Sequence, residues 1–145
     1  LTAIGGVNYD RKEKKFAKEI YKTLRNPSLG LESASEVQPY KFTRGKGSTD
    51  VGDVSWMVPT ARLRMATWVP GTSAHTWQAV SAGGMSIGMK GMVNAAKVIA
   101  GTAFDLYNDP ETIKNAKKEL IERRGPTFNY YSLLGERKPP LDFRK

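Results

Sequence analysis

The chain has 145 residues, 23 lysines and arginines against 14 aspartates and glutamates, a formal net charge of +9, and no cysteine. This length fits one domain, and the lack of cysteine excludes disulfides and thiolate metal sites. The most apolar stretch, residues 92–107, is interrupted by Asn94, Lys97 and Asp105, so the sequence predicts no membrane-spanning segment.

The positive charge lies in segments that flank a neutral middle. Residues 10–25 carry seven bases and three acids, residues 114–124 carry five and two, and residues 47–109 balance at four each. A solvated helix face explains this pattern more often than a binding stripe, so nucleic acid is not the expected partner. A non-catalytic basic module that binds an acidic partner or nucleic acid through the two basic segments stays the alternative interpretation.

A helix is predicted from an N-cap at Asp10 to about Leu24. Phe16, Ile20 and Leu24 recur at the spacing of one helix face, and Asn26-Pro27 ends the pattern.

Residues 28–46 show no periodicity and are predicted to be irregular. Residues 48–50, Ser-Thr-Asp, then form an N-cap cluster for a short helical turn over residues 51–56, which Pro59 ends.

Residues 62–69 are predicted to form a strand, because apolar and polar side chains alternate along them. One face would carry Leu63, Met65, Thr67 and Val69, and the other Arg62, Arg64, Ala66 and Trp68. Pro70-Gly71-Thr72 would end the strand, and the only histidine, His75, would follow in a loop at its carboxyl end. Open α/β sheets place ligand-binding groups at such an edge.

His75 is the main candidate for chemistry, although a lone histidine is more often structural or simply solvated. The loop around it is rich in glycine and small polar residues, and Asp50 and Asp53 could approach as acceptors for the second ring nitrogen. One histidine cannot hold a catalytic metal, which needs about three protein ligands. The chain has no further histidine or cysteine to complete the set.

A long helix is predicted over residues 87–108, with many small residues that permit close packing. One face of it would contain Ile87, Gly91, Ala95, Val98, Thr102 and Leu106. Four methionines are interpreted as core filler: Met57, Met85, Met89 and Met92.

The last predicted helix begins at Asp109-Pro110, runs from Glu111 to about Arg123 and ends at Gly125-Pro126. An aromatic and apolar patch over residues 128–134 is expected to pack back on the domain.

Three segments together carry a family resemblance: STDVGDVSWMVPT at residues 48–60, GTSAHTWQAV at residues 71–80 and SIGMKGMVNAAK at residues 86–97. In this order they resemble the C-terminal part of the catalytic domain of the aminobenzoyl-glutamate utilisation amidohydrolases. That family belongs to the co-catalytic metallopeptidases and aminoacylases. The similarity extends from about residue 9 to about residue 120.

The resemblance implies an α/β fold, a partial zinc-peptidase-like catalytic domain with a few strands packed with three main helices. It implies cleavage of an N-acyl amino acid amide with two divalent ions, zinc or manganese. His75 matches a metal ligand of the family. Asp50 and Asp53 would cap and rigidify the loop before the strand, or accept a hydrogen bond from the metal-bound imidazole. Gly71, Thr72 and Ser73 would offer backbone and hydroxyl groups to a substrate carboxylate.

The departures from the family are as informative as the match. The family carries its other metal ligands and its general base in a His-x-Asp and a Glu-Glu motif, and this sequence has neither. Most of the inserted dimerisation domain is also missing, and Leu1 is not a methionine. We therefore expect residues 1–145 to be the C-terminal portion of a catalytic domain, inactive alone.

The intact enzyme is expected to be cytoplasmic and homo-oligomeric, and to act on a small-molecule amide together with its N-terminal half. A third hypothesis is a half-enzyme that becomes active with a separate chain.

Overall fold

A computed structural model describes residues 1–42, 47 and 49–142, and it divides the chain into two units. The first unit combines Leu1–Gly45 with Arg62–Asp109, and the second combines Lys46–Ala61 with Pro110–Lys145. The helices of the first unit are α1 (Arg11–Lys22), a 3₁₀ helix (Leu31–Ala34), α3 (Trp77–Gly83) and α4 (Ser86–Asn108), and those of the second are α2 (Val51–Met57) and α5 (Pro110–Arg124). In the part of the chain that the structure describes, no helix is long and apolar enough to cross a membrane.

The predicted α/β fold is wrong, and with it the partial zinc-peptidase-like arrangement of a few strands, because the described residues form helices and no strand. The predicted strand, residues 62–69, is irregular. Its alternation survives in part, since Val69 is buried and Arg62 and Arg64 are exposed. A strand requires a ladder of backbone hydrogen bonds to a neighbour. Instead, the amide of Thr67 donates to the carbonyl of Met65 at 2.9 Å.

The predicted helices are confirmed to within a few residues. α1 begins after Asp10 and ends at Lys22, slightly before the predicted end. α2 begins after Asp50, while Ser48 of the predicted cap lies outside the described residues. α4 spans Ser86–Asn108 and α5 begins at Pro110.

The core of the first unit is small and is built from three helices and the residue before the His75 loop. α1 contributes Ala17 and Ile20, α3 contributes Ala82, α4 contributes Ile87, and Val69 completes the cluster. Larger, partly buried side chains pack around it: Tyr9, Phe16, Tyr21 and Leu31.

Glu13 is a charged side chain buried in this unit, with 5% of its surface exposed. One oxygen accepts from the Asp10 amide at 2.7 Å while the Asp10 carboxylate accepts from the Glu13 amide at 2.9 Å, which closes a capping box on α1. Ser86 donates to the other oxygen at 2.5 Å, and the Lys90 ammonium donates to the first at 2.6 Å. The carboxylate therefore joins the start of α1 to the start of α4.

These contacts decide the direction in which the pKa of Glu13 moves. Burial raises the pKa of Glu13. The hydrogen bonds from Lys90, Ser86 and the Asp10 amide, together with the charge of Lys90, lower it by more than burial raises it. The net result is a pKa below the usual 4.5. A carboxylate of this kind stabilises the fold above its unfolded pKa, and that stabilisation is lost as the pH falls through its folded pKa.

We predict that Glu13→Gln lowers the free energy of unfolding by about 1–3 kcal/mol at pH 7, because a buried charge-assisted network loses its acceptor. The difference from the parent chain should shrink as the pH falls below about 4.5, where the carboxylate of the unfolded chain takes up a proton, and it should be lost once the pH passes below the lowered pKa of the folded chain. Urea unfolding at pH 7 and pH 3 measures both effects. Glu19→Gln, at the exposed Lys22–Glu19 pair, is the matched control and should change little. An equal difference at both pH values would contradict the prediction.

The interpretation of four methionines as core filler is wrong. Met57, Met85, Met89 and Met92 are between 44% and 57% exposed. Met57 ends α2, a helix without a buried residue, and the other three lie at the start of α4 away from its buried positions Ile87, Gly88 and Gly91.

The second unit is held by an aromatic contact between its two chain segments. The rings of Trp56 and Phe128 stack with centroids 5.0 Å apart and planes inclined by 16°. The Arg124 guanidinium lies 5.5 Å above the Phe128 ring and donates to the Trp56 carbonyl at 2.5 Å. The expected packing of residues 128–134 is thus confirmed for Phe128, while the rest of the patch includes largely exposed side chains: Tyr131, Leu133 and Leu134.

Candidate functional site: the His75 loop

The loop that carries His75 leaves the core at Val69, which is 1% exposed. The Thr72 amide donates to the Val69 carbonyl at 3.1 Å and tightens the turn. Gly71 has a φ of +84°, and a Cβ at this position would lie 2.6 Å from the Cβ of Pro27. Glycine is therefore required here both by the left-handed backbone and by the close approach of Pro27.

Thr76 fixes the other end of the loop. It is the N-cap of α3, and its hydroxyl accepts from the Ala79 amide at 3.3 Å while it donates to the Ser73 carbonyl at 2.8 Å. Just beyond it, the Gln78 side chain donates to the hydroxyl of Thr23 at 3.2 Å. Both ends of the loop are thus held near the C-terminal end of α1, one by the contact of Gly71 with Pro27 and the other by the bond from Gln78 to Thr23.

His75 lies between these fixed points, exposed to solvent, with a φ of +61°. Histidine adopts this left-handed conformation more readily than β-branched residues do. The conformation is still unfavourable for a residue with a Cβ, so the contacts of the neighbouring residues must hold the backbone in it. Within the described residues the imidazole makes no hydrogen bond. Both ring nitrogens are therefore available to a ligand.

Asp50 and Asp53 belong to the second unit, whereas His75 belongs to the first. Asp50 occupies the N-cap position of α2, but its side chain makes no capping hydrogen bond. Asp53 accepts a hydrogen bond from the Tyr130 hydroxyl at 2.9 Å, and this bond raises the pKa of Tyr130. A role of the two aspartates as partners of the imidazole stays a prediction.

The three residues predicted to bind substrate differ in their settings. Gly71 is packed against Pro27, and Ser73 is exposed with its carbonyl bonded to Thr76. The shielded Thr72 hydroxyl has no hydrogen-bond partner in the part of the chain that the structure describes. Their substrate role stays a prediction. Two open clefts of about 450 and 320 Å³ lie along α1, and neither is lined by these residues.

A metal centre is not complete within this chain's described residues. No group of three or more histidine, cysteine, aspartate or glutamate side chains there could hold an ion. His75 can supply one nitrogen ligand, and the two or more further ligands of a catalytic ion would have to come from elsewhere.

Sequence reasoning missed the contacts that hold the loop. The Thr76 cap could have been found, because a threonine before a helical segment is a common N-cap. The Gln78–Thr23 bond joins residues 55 positions apart, and the Gly71–Pro27 contact is similarly distant. No local pattern signals such pairs.

We predict that Gly71→Ala destabilises the chain by about 1–3 kcal/mol, because alanine resists a positive φ and its methyl group would collide with Pro27. Thermal unfolding followed by circular dichroism measures the loss. The matched control is Gly101→Ala, since Gly101 lies in α4 with open space around it and alanine favours a helix. Equal melting temperatures for the parent chain and Gly71→Ala would contradict the prediction.

Comparison with curated proteins shows that this chain belongs to the aminobenzoyl-glutamate hydrolases, which confirms the resemblance drawn from its motifs. It is 37% identical over 144 residues to one of the subunits of the p-aminobenzoyl-glutamate hydrolase of Escherichia coli (strain K12). The match covers 82% of this chain and 30% of that protein. No protein-family model and no solved structure matches the chain.

Proposed function

We propose that this chain is part of a hydrolase that cleaves an aminobenzoyl-glutamate-like amide. The observation that carries the proposal is the 37% identity to a protein named as such a hydrolase. A match covering 82% of the chain includes its middle, and therefore the His75 loop. The chain spans 30% of its relative's length, so the activity and the substrate named for the relative are assigned to this chain as proposals only.

His75 is the residue to which we assign a ligand role, as one nitrogen ligand of a divalent ion, zinc or manganese. Its exposure and its lack of hydrogen bonds within the described residues leave the imidazole free to bind. Thr76, Gly71 and Gln78 hold the backbone on both sides, so the ring would be presented without reorganising the loop.

The remaining ligands and the general base are proposed to come from polypeptide outside these 145 residues, because the described residues offer no ligand cluster. The isolated chain should therefore be inactive. A separate chain that supplies the missing groups would restore activity, in line with the hypothesis of a half-enzyme.

A chimera tests the assignment. We predict that the E. coli relative regains hydrolysis of p-aminobenzoyl-glutamate when these 145 residues replace its matched region, whereas the isolated chain shows none. In that chimera His75→Ala should reduce kcat/KM by at least about a thousandfold, corresponding to about 4 kcal/mol of transition-state stabilisation.

The melting temperature should fall by no more than about 2 °C in His75→Ala, because the side chain is exposed and one non-glycine residue replaces another at the positive φ. Val80→Ala, at a 78% exposed position of α3, is the matched control and should keep full activity. Full activity in His75→Ala, or a folded chimera without activity, would contradict the proposal.

A second candidate function rests on the charge of α1. Four of its cations lie exposed on one side of the helix: Arg11, Lys14, Lys15 and Lys18. They lie away from the buried Ala17 and Ile20. By contrast, three of the cations on α5 are paired with glutamates of the same helix. A basic module would therefore bind an acidic partner through α1.

For this alternative we predict that fluorescein-labelled polyglutamate binds the chain at about 150 mM salt, and that Lys14→Glu with Lys18→Glu abolishes binding. Fluorescence anisotropy measures the affinity. The charge-matched control is Lys114→Glu with Lys118→Glu on α5, where both lysines already have acidic partners. Absence of binding at this salt concentration would exclude the basic-module function.

A further inference from the structure

The turn that follows α1, residues 23–27, contacts both ends of the loop that carries the histidine. Gly71, at the start of the loop, meets Pro27, and Gln78, just after its end, donates a hydrogen bond to Thr23. These contacts lie within the first unit. We name residues 23–27 the α1 turn.

The α1 turn is held in one conformation by three constraints. Asn26 has a φ of +50°, a left-handed conformation that asparagine adopts more readily than most residues. The ring of Pro27 fixes the φ of the next residue. Beyond the turn, the Tyr21 hydroxyl donates to the Leu29 carbonyl at 2.9 Å and ties the following chain back to α1. The turn therefore offers the loop a fixed surface.

The Thr23 hydroxyl makes two hydrogen bonds of opposite sense. It donates to the Ile20 carbonyl at 2.7 Å and accepts from the Gln78 side chain at 3.2 Å. A hydroxyl has one proton, and the bond to Ile20 uses it. The remaining lone pair of the oxygen is thus left for a donor, which the amide nitrogen of Gln78 supplies.

Gln78 lies in the first turn of α3, close behind His75 in the chain. Thr76 caps the same helix and donates to the Ser73 carbonyl at 2.8 Å, so the residues on either side of His75 are bonded to each other. The imidazole makes no hydrogen bond within the described residues. Its location is therefore set by the backbone, and the start of α3 helps to set the backbone.

We propose that Thr23 is a positioning residue for His75. Its hydroxyl holds the start of α3 through Gln78, and thereby holds the backbone from which the imidazole extends. This role rests on the function proposed above, in which His75 is a ligand. Misplacement of a reacting group by about 1 Å can cost a hundredfold in rate. Because Pro27 still holds the other end of the loop, we expect a smaller loss, of about tenfold, when Thr23 is changed.

The first test uses the 145-residue chain and does not depend on activity. Thr23→Val removes the hydroxyl and keeps nearly the same volume. The order parameter of the His75 amide, from ¹⁵N relaxation, should be near the rigid value of about 0.85 in the parent chain and should fall by at least about 0.15 in Thr23→Val. Thr23→Ser keeps the hydroxyl and should restore the parent value. Thr102→Val is the matched control, because the Thr102 hydroxyl donates to the Val98 carbonyl at 2.8 Å within α4. It should leave the His75 amide unchanged.

The second test measures hydrolysis by the chimera with the E. coli relative. Thr23→Val should lower kcat about tenfold and leave KM within about twofold, whereas Thr23→Ser and Thr102→Val should keep at least about half of the parent kcat.

Three results would overturn the positioning role: a His75 amide that is already flexible in the parent chain, an order parameter or a kcat that Thr23→Val leaves unchanged, and a loss that Thr23→Ser does not restore. A parent chimera that folds without activity contradicts the proposed function instead, and the order parameter then decides whether Thr23 positions His75.

Discussion

The arrangement of the first unit depends on keeping the buried carboxylate of Glu13 ionised and fully hydrogen-bonded. An ionised group out of water is tolerated only when its oxygens are bonded. Here the partners come from the Asp10 amide, Ser86 and Lys90. Lys90 also donates to the Asn8 carbonyl at 3.1 Å, and Asn94 donates to the Gly6 carbonyl at 2.9 Å. The N-terminal segment, α1 and α4 are thereby held in one orientation.

The position of the His75 loop follows from that orientation, because the loop is attached to the far end of α1. Ile20 and Val69 share the core, Pro27 contacts Gly71, and Thr23 binds Gln78. The loop thus holds one exposed histidine, with a left-handed backbone conformation, between two ends that are fixed to the rest of the unit. The described residues of this small unit do not surround an ion on their own.

The sequence predicted those features that depend on neighbouring residues. The N-cap at Asp10, the proline that begins α5 and the extents of α1, α4 and α5 follow from residues within one turn of each other. The strand over residues 62–69 failed because alternation reports which side chains face inward, while a strand also needs a partner.

The spacing of α4 gave the buried positions Ile87, Gly91 and Val98, but Thr102 of the same predicted face is exposed. The exposure of the methionines could not be predicted from the sequence. An apolar residue looks the same in a sequence whether it packs inside the unit or lies exposed on its surface. For the candidate site, the sequence indicated His75 and its loop, whereas the contacts with Pro27 and Thr23 are set by tertiary packing.

The residues that bind Glu13 lie far from it along the chain, and this separation affects how the first unit folds. Ser86 and Lys90 lie 73 and 77 residues after Glu13, and Asn94 lies 88 residues after Gly6. Closing loops of this length carries an entropic cost before the contacts repay it, and such topologies fold slowly. During synthesis, α1 emerges from the ribosome long before α4 does. Until then its carboxylate stays hydrated and its apolar side has no partner, which makes this interval the one in which the nascent chain is most open to aggregation or to chaperones.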